Sequence, residues 1–283
     1  MSTVVAVDLD RTLIYSAAAA GSGGTDGDRP VQRLICVEEL GGRQQSFMTS
    51  LAAGWLQQVR EHAVLVPTTT RTLEQYARVR LPGGRPAYAV TSNGGHIVVD
   101  GAADQVWRCA IVARIAGSGA PLAEVVDGLA RLAVGPWVRS RRVADELFCY
   151  LVVDLAELPG DFLPTWTSWC ARRGWVVSVQ GRKIYALPRE LTKEAALTEV
   201  LNRTGAHRLL AAGDGALDAG FLQLADAAIR PAHGELADTG WVRPHVRVTS
   251  ELGVLAGEEI SRWLASQLVP ARPGSSLIRS DLV

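Results

Sequence analysis

The sequence predicts an α/β protein in which a Rossmann-like parallel sheet is interrupted by an inserted α+β unit. Two observations predict it. Short apolar runs at 3–7, 63–66, 87–90 and 209–212 each end in a cluster of small polar residues. Strands buried on both faces, with a site at their carboxyl ends, read this way. Between about residue 100 and residue 187 the pattern changes to helix, strand, strand, and repeats once. Strands joined by tight turns pair antiparallel. The boundaries read as 1–100 for the first part of the core, 101–187 for the insert, 188–270 for the second part and 271–283 for a loose tail.

The β-branched run Thr3–Val7 opens the chain and ends in Asp8-Leu9-Asp10-Arg11-Thr12. The Gly-rich, small-residue stretch 16–29 reads as a mobile loop. Two strands flanking Gly41-Gly42 predict a hairpin over 34–48, placed to act as a flap that keeps water from the site. Thr49 or Ser50 caps a helix over 51–61, with Leu51, Trp55, Leu56 and Val59 on one stripe. A strand at 63–66 ends in Pro67-Thr68-Thr69-Thr70-Arg71, and a helix follows from about Thr72 to Arg80. The third strand ends in Thr91-Ser92-Asn93-Gly94-Gly95. In the insert, 121–133 and the LPGDFLPTWTSWCARRG segment read as helices, the latter with Gly174 past its end. A helix over about 193–204 has Thr192 as its cap. The strand at 209–212 runs into Gly213-Asp214-Gly215-Ala216-Leu217-Asp218. Residues 227–229 and 246–248 read as edge strands, and 251–268 as the last helix.

Lys+Arg and Asp+Glu are both 29 in 283 residues, so the formal net charge is zero and a broad nucleic-acid footprint is not expected. An apolar fraction of 48% supports a core of ordinary size. No apolar run reaches the about 18 residues of a membrane span. The N-terminus has no basic segment before its apolar run, so no signal peptide is read and the expected location is cytoplasmic. Cys36, Cys109, Cys149 and Cys170 are scattered without a C-x-x-C pair and read as buried, reduced thiols.

Chemistry concentrates at the strand ends. Asp8 and Asp10 lie two apart, so on an extended segment they share one face while Leu9 points away. Like charges this close disfavour joint ionisation unless a cation neutralises them. Asp214 and Asp218 add two more carboxylates. Oxygen-only ligation of this kind suits Mg²⁺, and no His/Cys spacing for zinc is present.

The ordered set Asp8-Leu9-Asp10-Arg11-Thr12-Leu13, strand-end Thr69, Lys193 in LTKEAAL and GDGALD resembles the motifs of the haloacid dehalogenase-like (HAD) phosphohydrolase superfamily. The position of the insert, and the TSNGGHIVVDG segment, resemble the type-II cap branch, whose members are Cof-like, sucrose-phosphatase-like and mannosylglycerate-phosphate-phosphatase-like. The resemblance implies a HAD core with an inserted α+β cap domain and a Mg²⁺-dependent phosphatase acting on a small phosphorylated metabolite such as a sugar phosphate. It implies Asp8 as nucleophile and Asp10 as general acid and base. Asp8, the Asp10 backbone carbonyl and Asp214 would hold Mg²⁺, with Asp218 ligating or orienting it. Thr69 and Lys193 would hold the phosphoryl oxygens, with Arg11 and Asn93 as further phosphate contacts. Lys183, in a cap strand, is a rival for the lysine role. The chain departs from the family pattern at Arg11 and Thr70, both frequently Gly, and at Leu217, frequently Asn.

Two other functions fit the same motifs: a phosphotransferase or mutase on a similar metabolite, and a catalytically weak module of this fold that binds a ligand or partner. A dehalogenase fits less well, since that chemistry needs neither the second carboxylate nor the metal. The five histidines lack metal spacing; His96 lies nearest the site. Arg139, Arg141, Arg142 and Arg182 could meet a polar or anionic substrate but read first as solvated strand faces, and Trp166, Trp169 and Trp175 could stack on a sugar ring but read first as cap core. No nucleic-acid or membrane partner is expected, and the sequence carries no signal of oligomeric state.

Overall fold

The computed structural model describes residues 2–20 and 34–268. In chain order it contains β1 (Thr3–Val7), β2 (Tyr15–Ser16), α1 (Ala17–Ala20), β3 (Leu34–Leu40), β4 (Arg43–Thr49), α2 (Ser50–His62), β5 (Val64–Pro67) and α3 (Leu73–Ala77). There follow β6 (Tyr88–Thr91), β7 (His96–Val99), β8 (Ala102–Ala103), α4 (Gln105–Ala116), α5 (Leu122–Leu132), β9 (Val138–Ala144), β10 (Phe148–Val153), α6 (Phe162–Ala171), β11 (Trp175–Gln180) and β12 (Lys183–Pro188). The chain then forms α7 (Lys193–Thr204), β13 (Arg208–Ala212), α8 (Ala219–Leu224), β14 (Ala227–Arg230), α9 (Glu235–Asp238), β15 (Val246–Val248) and α10 (Gly253–Leu268).

A five-stranded sheet in the order β15-β14-β13-β1-β5 is parallel throughout. β1 is buried along its whole length. Its alternation sends Val4 and Ala6 into one apolar cluster and Val5 and Val7 into another, so the sheet is covered on both faces. The second cluster includes Leu56 and Val59 of α2 and Ile260 and Leu264 of α10.

A second sheet, β11-β12-β10-β9, is antiparallel. Cys149, Leu151, Ile184 and Ala186 lie on the face covered by α5 and α6, where Trp166 and Trp175 are enclosed. These Trp residues are core, as the sequence reading expects. Lys183, Tyr185, Ser178, Gln180 and Tyr150 share the opposite face through the cross-strand register.

Several expectations change. β14 is an interior strand; β15 alone of the two is at the edge. β6 meets β5 at a single parallel bridge, Thr68 to Val90, and pairs regularly only with β7. α3 ends at Ala77 because the next residues are drawn into pairing with β3: Glu38 bridges Val79, and Arg80 N donates to Val37 O at 2.7 Å. α4 has no counterpart in the sequence reading. Ser16 is ordered, paired in β2 with β4, and 17–20 are helical; residues 21–29 of the expected loop, and the tail at 271–283, lie outside the described residues. The hairpin forms as expected, with Gly41 and Gly42 at φ 58° and 72°, values that suit its type I′ turn. Of the four cysteines, all free, Cys149 and Cys170 are buried, with thiols pushed up to about 12 by burial, whereas Cys109 is exposed and Cys36 half-buried. Among the described residues no helix is long and apolar enough to cross a membrane.

Candidate active site

The site lies at the carboxyl ends of β1 and β13. Asp8 N donates to Ala212 O at 2.9 Å, extending the parallel pairing by one residue and setting Asp8 beside the Gly213–Asp218 loop. Beyond it the chain turns: Leu9 O accepts the amides of Thr12, Leu13 and Ile14, and Arg11 sits in left-handed backbone at φ 63°. On the other loop, Asp218 Oδ2 accepts the amides of Asp214 at 2.9 Å and Gly215 at 2.8 Å, so this carboxylate shapes the loop that presents Asp214.

Lys193 begins α7, where Thr192 caps the helix by accepting the Ala195 amide. Its ammonium donates to Asp8 Oδ1 at 2.7 Å and to Asp218 Oδ1 at 2.6 Å, fully enclosed. One carboxylate oxygen from each of Asp8, Asp214 and Asp218 lies within 4.8 Å of the others. Three buried carboxylates therefore face one ammonium. Burial, only partly opposed by Lys193, raises the Asp8 pKa to about 7, with further upward pushes from Asp218 and Asp10. Burial, followed by the charges of Asp8 and Asp218, raises Asp214 well above the usual carboxylate range. Burial works against the Lys193 ammonium, but Asp218 and Asp8 hold its proton more tightly than usual. An excess of buried negative charge with oxygen-only donors fits a hard divalent cation.

Asp10 does not join these oxygens. Leu9 still packs with Val5 and Val7, so the alternation that sets Asp8 and Asp10 on one side runs through to Asp10, and the chain turns only after it, at residues 11–13. The Asp10 carboxylate instead receives a bidentate pair from Arg71, at 2.7 Å from Nε and 2.8 Å from Nη2. Burial would raise its pKa, but Arg71 holds it below the usual value. Arg71 N also donates to Thr69 Oγ1 at 3.1 Å, leaving the buried Thr69 hydroxyl its own proton to donate. Asn93, at φ 56°, ties two loops together: its amide donates to Thr69 O at 3.0 Å and its Nδ2 to Leu191 O at 2.7 Å. Next to it, Gly94 has φ 98°, and a Cβ there would lie 2.1 Å from Thr192 O, so only glycine lets this turn meet the start of α7. Arg11 lies 3.8 Å from Asp214 with its side chain about half exposed.

A cavity of about 620 Å³ opens over Asp10, Arg11 and Asp214. Its far wall is the polar face of the antiparallel sheet, with Gln180, Lys183 and Tyr185, and Arg182 from the turn between β11 and β12, where the sequence reading expected a strand face. Burial raises the Tyr185 pKa, and the neighbouring Lys183 ammonium opposes this. Two contacts seat that sheet on the parallel one: Glu235 accepts from Ser178 Oγ and Ala216 N, both at 2.9 Å, and Asp145 accepts from Leu73 N at 3.1 Å. A slightly larger cavity, about 650 Å³, lies between α3 and β7 and holds none of these groups.

No family model and no curated protein matches the sequence. Solved structures do match. The sucrose-phosphatase of Synechocystis sp. PCC6803, solved in complex with sucrose and phosphate, gives a TM-score of 0.62 over 93% of this chain and 98% of its own, at 14% identity. Thermoplasma acidophilum 0175 gives 0.61 over 95% and 100%, at 12% identity. The chain has the haloacid dehalogenase-like fold. Within the HAD fold, the subclass IIB sugar phosphatase BT4131 matches with a TM-score of 0.56 over 94% of this chain and 99% of its own, at 12% identity. The sucrose-phosphatase and the subclass IIB phosphatase are of the branch that the position of the insert and the TSNGGHIVVDG segment resemble.

Arg71, Glu38 and Tyr185 carry no weight in the sequence reading, and Lys183 enters it only as a rival for the place taken by Lys193. The alternation of Lys183 and Tyr185 on one strand face was the available signal for the cap wall. Nothing local marks Arg71, because both of its carboxylate partners come from distant segments.

Proposed function

We propose that the protein is a Mg²⁺-dependent phosphatase of a small phosphorylated metabolite, acting through an aspartyl-phosphate on Asp8. The observation that carries this reading is the Lys193 ammonium between Asp8 and Asp218, with Asp214 closing the acidic cluster. Residues 1–100 and 188–270 form the catalytic core in this reading and 101–187 the cap, with the protein in the cytoplasm. Asp8, the Asp10 backbone carbonyl and Asp214 would hold Mg²⁺, which when bound offsets the repulsion between a phosphate dianion and the Asp8 carboxylate. Asp218 has both oxygens engaged, so its role is to orient Asp214 and Lys193.

An Asp8 carboxylate oxygen attacks phosphorus, and the bond from phosphorus to the ester oxygen breaks. Asp10 gives that oxygen a proton, then takes one from the water that attacks the aspartyl-phosphate, releasing phosphate and restoring Asp8. Arg71 favours ionised Asp10, the form left once the ester oxygen has taken its proton and the form that then accepts the water's. Lys193 and the Thr69 hydroxyl donate to phosphoryl oxygens as charge develops. Arg11 reaches the same cavity from its rim. Asn93 supports the loops that carry Thr69 and Lys193. The cap wall of Gln180, Arg182, Lys183 and Tyr185 offers donors and an aromatic edge to the leaving group, which suits a polyol such as a sugar phosphate. The sucrose-phosphatase and sugar-phosphatase names among structures of this fold support that class.

The test is phosphate release from p-nitrophenyl phosphate with Mg²⁺ and with chelator. Turnover is expected with the metal alone, and Asp8→Asn is expected to abolish it. Mg²⁺-dependent turnover that survives Asp8→Asn would overturn the covalent route.

A further inference from the structure

The β3–β4 hairpin meets the candidate site through Arg71. That guanidinium holds Asp10 along its Nε/Nη2 edge, while Nη1 forms an ion pair with Glu38 Oε2 at 2.8 Å and Nη2 also donates to Ser46 Oγ at 3.3 Å. Ser46 in turn donates to Glu38 Oε2 at 2.6 Å, and Arg78 Nε lies 3.4 Å from Glu38 Oε1. Glu38 is on β3 and Ser46 on β4, opposite one another in the hairpin register. The Glu38 carboxylate is 5% exposed, whereas that of Asp10 is 47% exposed and faces the cavity. A buried carboxylate on one edge of a planar guanidinium fixes the plane, and the other edge then fixes whatever it holds.

The hairpin is itself anchored on both sides of this relay. β4 pairs with β2, the first strand after the Asp8–Thr12 turn, and β3 pairs with the backbone just beyond Arg71 through Val79 and Arg80. We propose that the hairpin is a positioning element in which Glu38, braced by Ser46, sets the orientation of Arg71 and so the aim of the Asp10 carboxylate at the leaving-group oxygen. The proposal rests on the phosphatase reading above. It gives the hairpin a task other than keeping water out: holding the proton donor in line.

The leaving group supplies the test. Departure of nitrophenolate needs little protonation, whereas phenolate, with a pKa of about 10 as in tyrosine, gains much from a placed acid. The two rings bind alike, so their ratio isolates proton transfer. With Mg²⁺ present, kcat/KM for p-nitrophenyl and phenyl phosphate is compared in wild type, Glu38→Gln and Ser46→Ala. For Glu38→Gln the expected result is about a tenfold or greater loss on phenyl phosphate against less than about threefold on p-nitrophenyl phosphate. Ser46→Ala, which removes one hydroxyl and is expected to fold, shifts the ratio in the same direction by a smaller factor. Equal losses on both esters, or no loss on either, overturn the positioning role. A wild type inactive on both overturns the phosphatase reading and this proposal with it.

Discussion

Lys193 Nζ lies 2.7 Å from Asp8 Oδ1, and neither group has more than a small fraction of its surface open to water. The pair closes a circuit of charge in which Asp218 is the other partner. Removing the ammonium leaves buried carboxylates facing one another. Lys193→Met is therefore expected to destabilise the metal-free protein by about 3–5 kcal/mol, the usual penalty for orphaning a buried charge. Chemical denaturation in chelator, compared with wild type, measures it. A loss under about 1 kcal/mol would mean the pair is structurally idle.

The raised pKa values of Asp8, to about 7, and Asp214 carry a sign. A carboxyl that binds its proton more tightly folded than unfolded stabilises the fold at low pH. That contribution declines as pH climbs from the unfolded value, about 4, to about 7. Metal must displace the same protons. Mg²⁺ is thus expected to raise the melting temperature more at pH 8 than at pH 5.5. At a hundredfold excess over Kd the gain is about 2.7 kcal/mol, or about 4–5 °C for a chain of this size. Thermal melts at the two pH values check it; an equal or larger shift at pH 5.5 contradicts it.

Arg11 holds a left-handed conformation, φ 63°, where a side chain costs about 1 kcal/mol or more. Its contact with Asp214, 3.8 Å long and half exposed, returns little. Arg11→Gly is expected to leave stability unchanged or raise it by up to about 1 kcal/mol, glycine's larger unfolded-state entropy offsetting part of the relief. Arg11→Val, β-branched at the same φ, is expected to lose more than about 1 kcal/mol. Equilibrium unfolding of the two variants side by side decides the point.

Gly94 meets the Thr192 carbonyl at a distance no Cβ tolerates, and its φ of 98° is glycine's own. Gly94→Ala is expected to cost more than about 2 kcal/mol and to displace the start of α7. Because Lys193 is the next residue after Thr192, turnover at a temperature where the variant remains folded is expected to fall as well. A folded variant with wild-type turnover would show that the approach is not needed to seat the lysine.

The parallel sheet and the positions of its polar strand ends were legible because β1, β5 and β13 are short, uninterrupted apolar runs, a signature of two-sided burial. α7 was equally clear, with Thr192 before it and Gly205 after it. α4 was not, since Val106 and Val112 are exposed while Trp107 and Ile111 are buried, so its apolar residues ring the helix without forming a stripe. At the site, Asp8, Asp214, Asp218 and Lys193 were legible by order along the chain. The engagement of Asp10 by Arg71, and of Arg71 by Glu38, was not, because each is a pairing between segments whose proximity only the folded sheet determines.

One apolar cluster runs from Val4 and Ala6 of the parallel sheet through Ile97 and Leu147 to Trp166 beneath the antiparallel one. A lid on a free hinge would split that interior in two each time it opened, wetting side chains that are dry in both halves. The two sheets therefore share one dry interior, and scanning calorimetry should register one endotherm for the whole molecule.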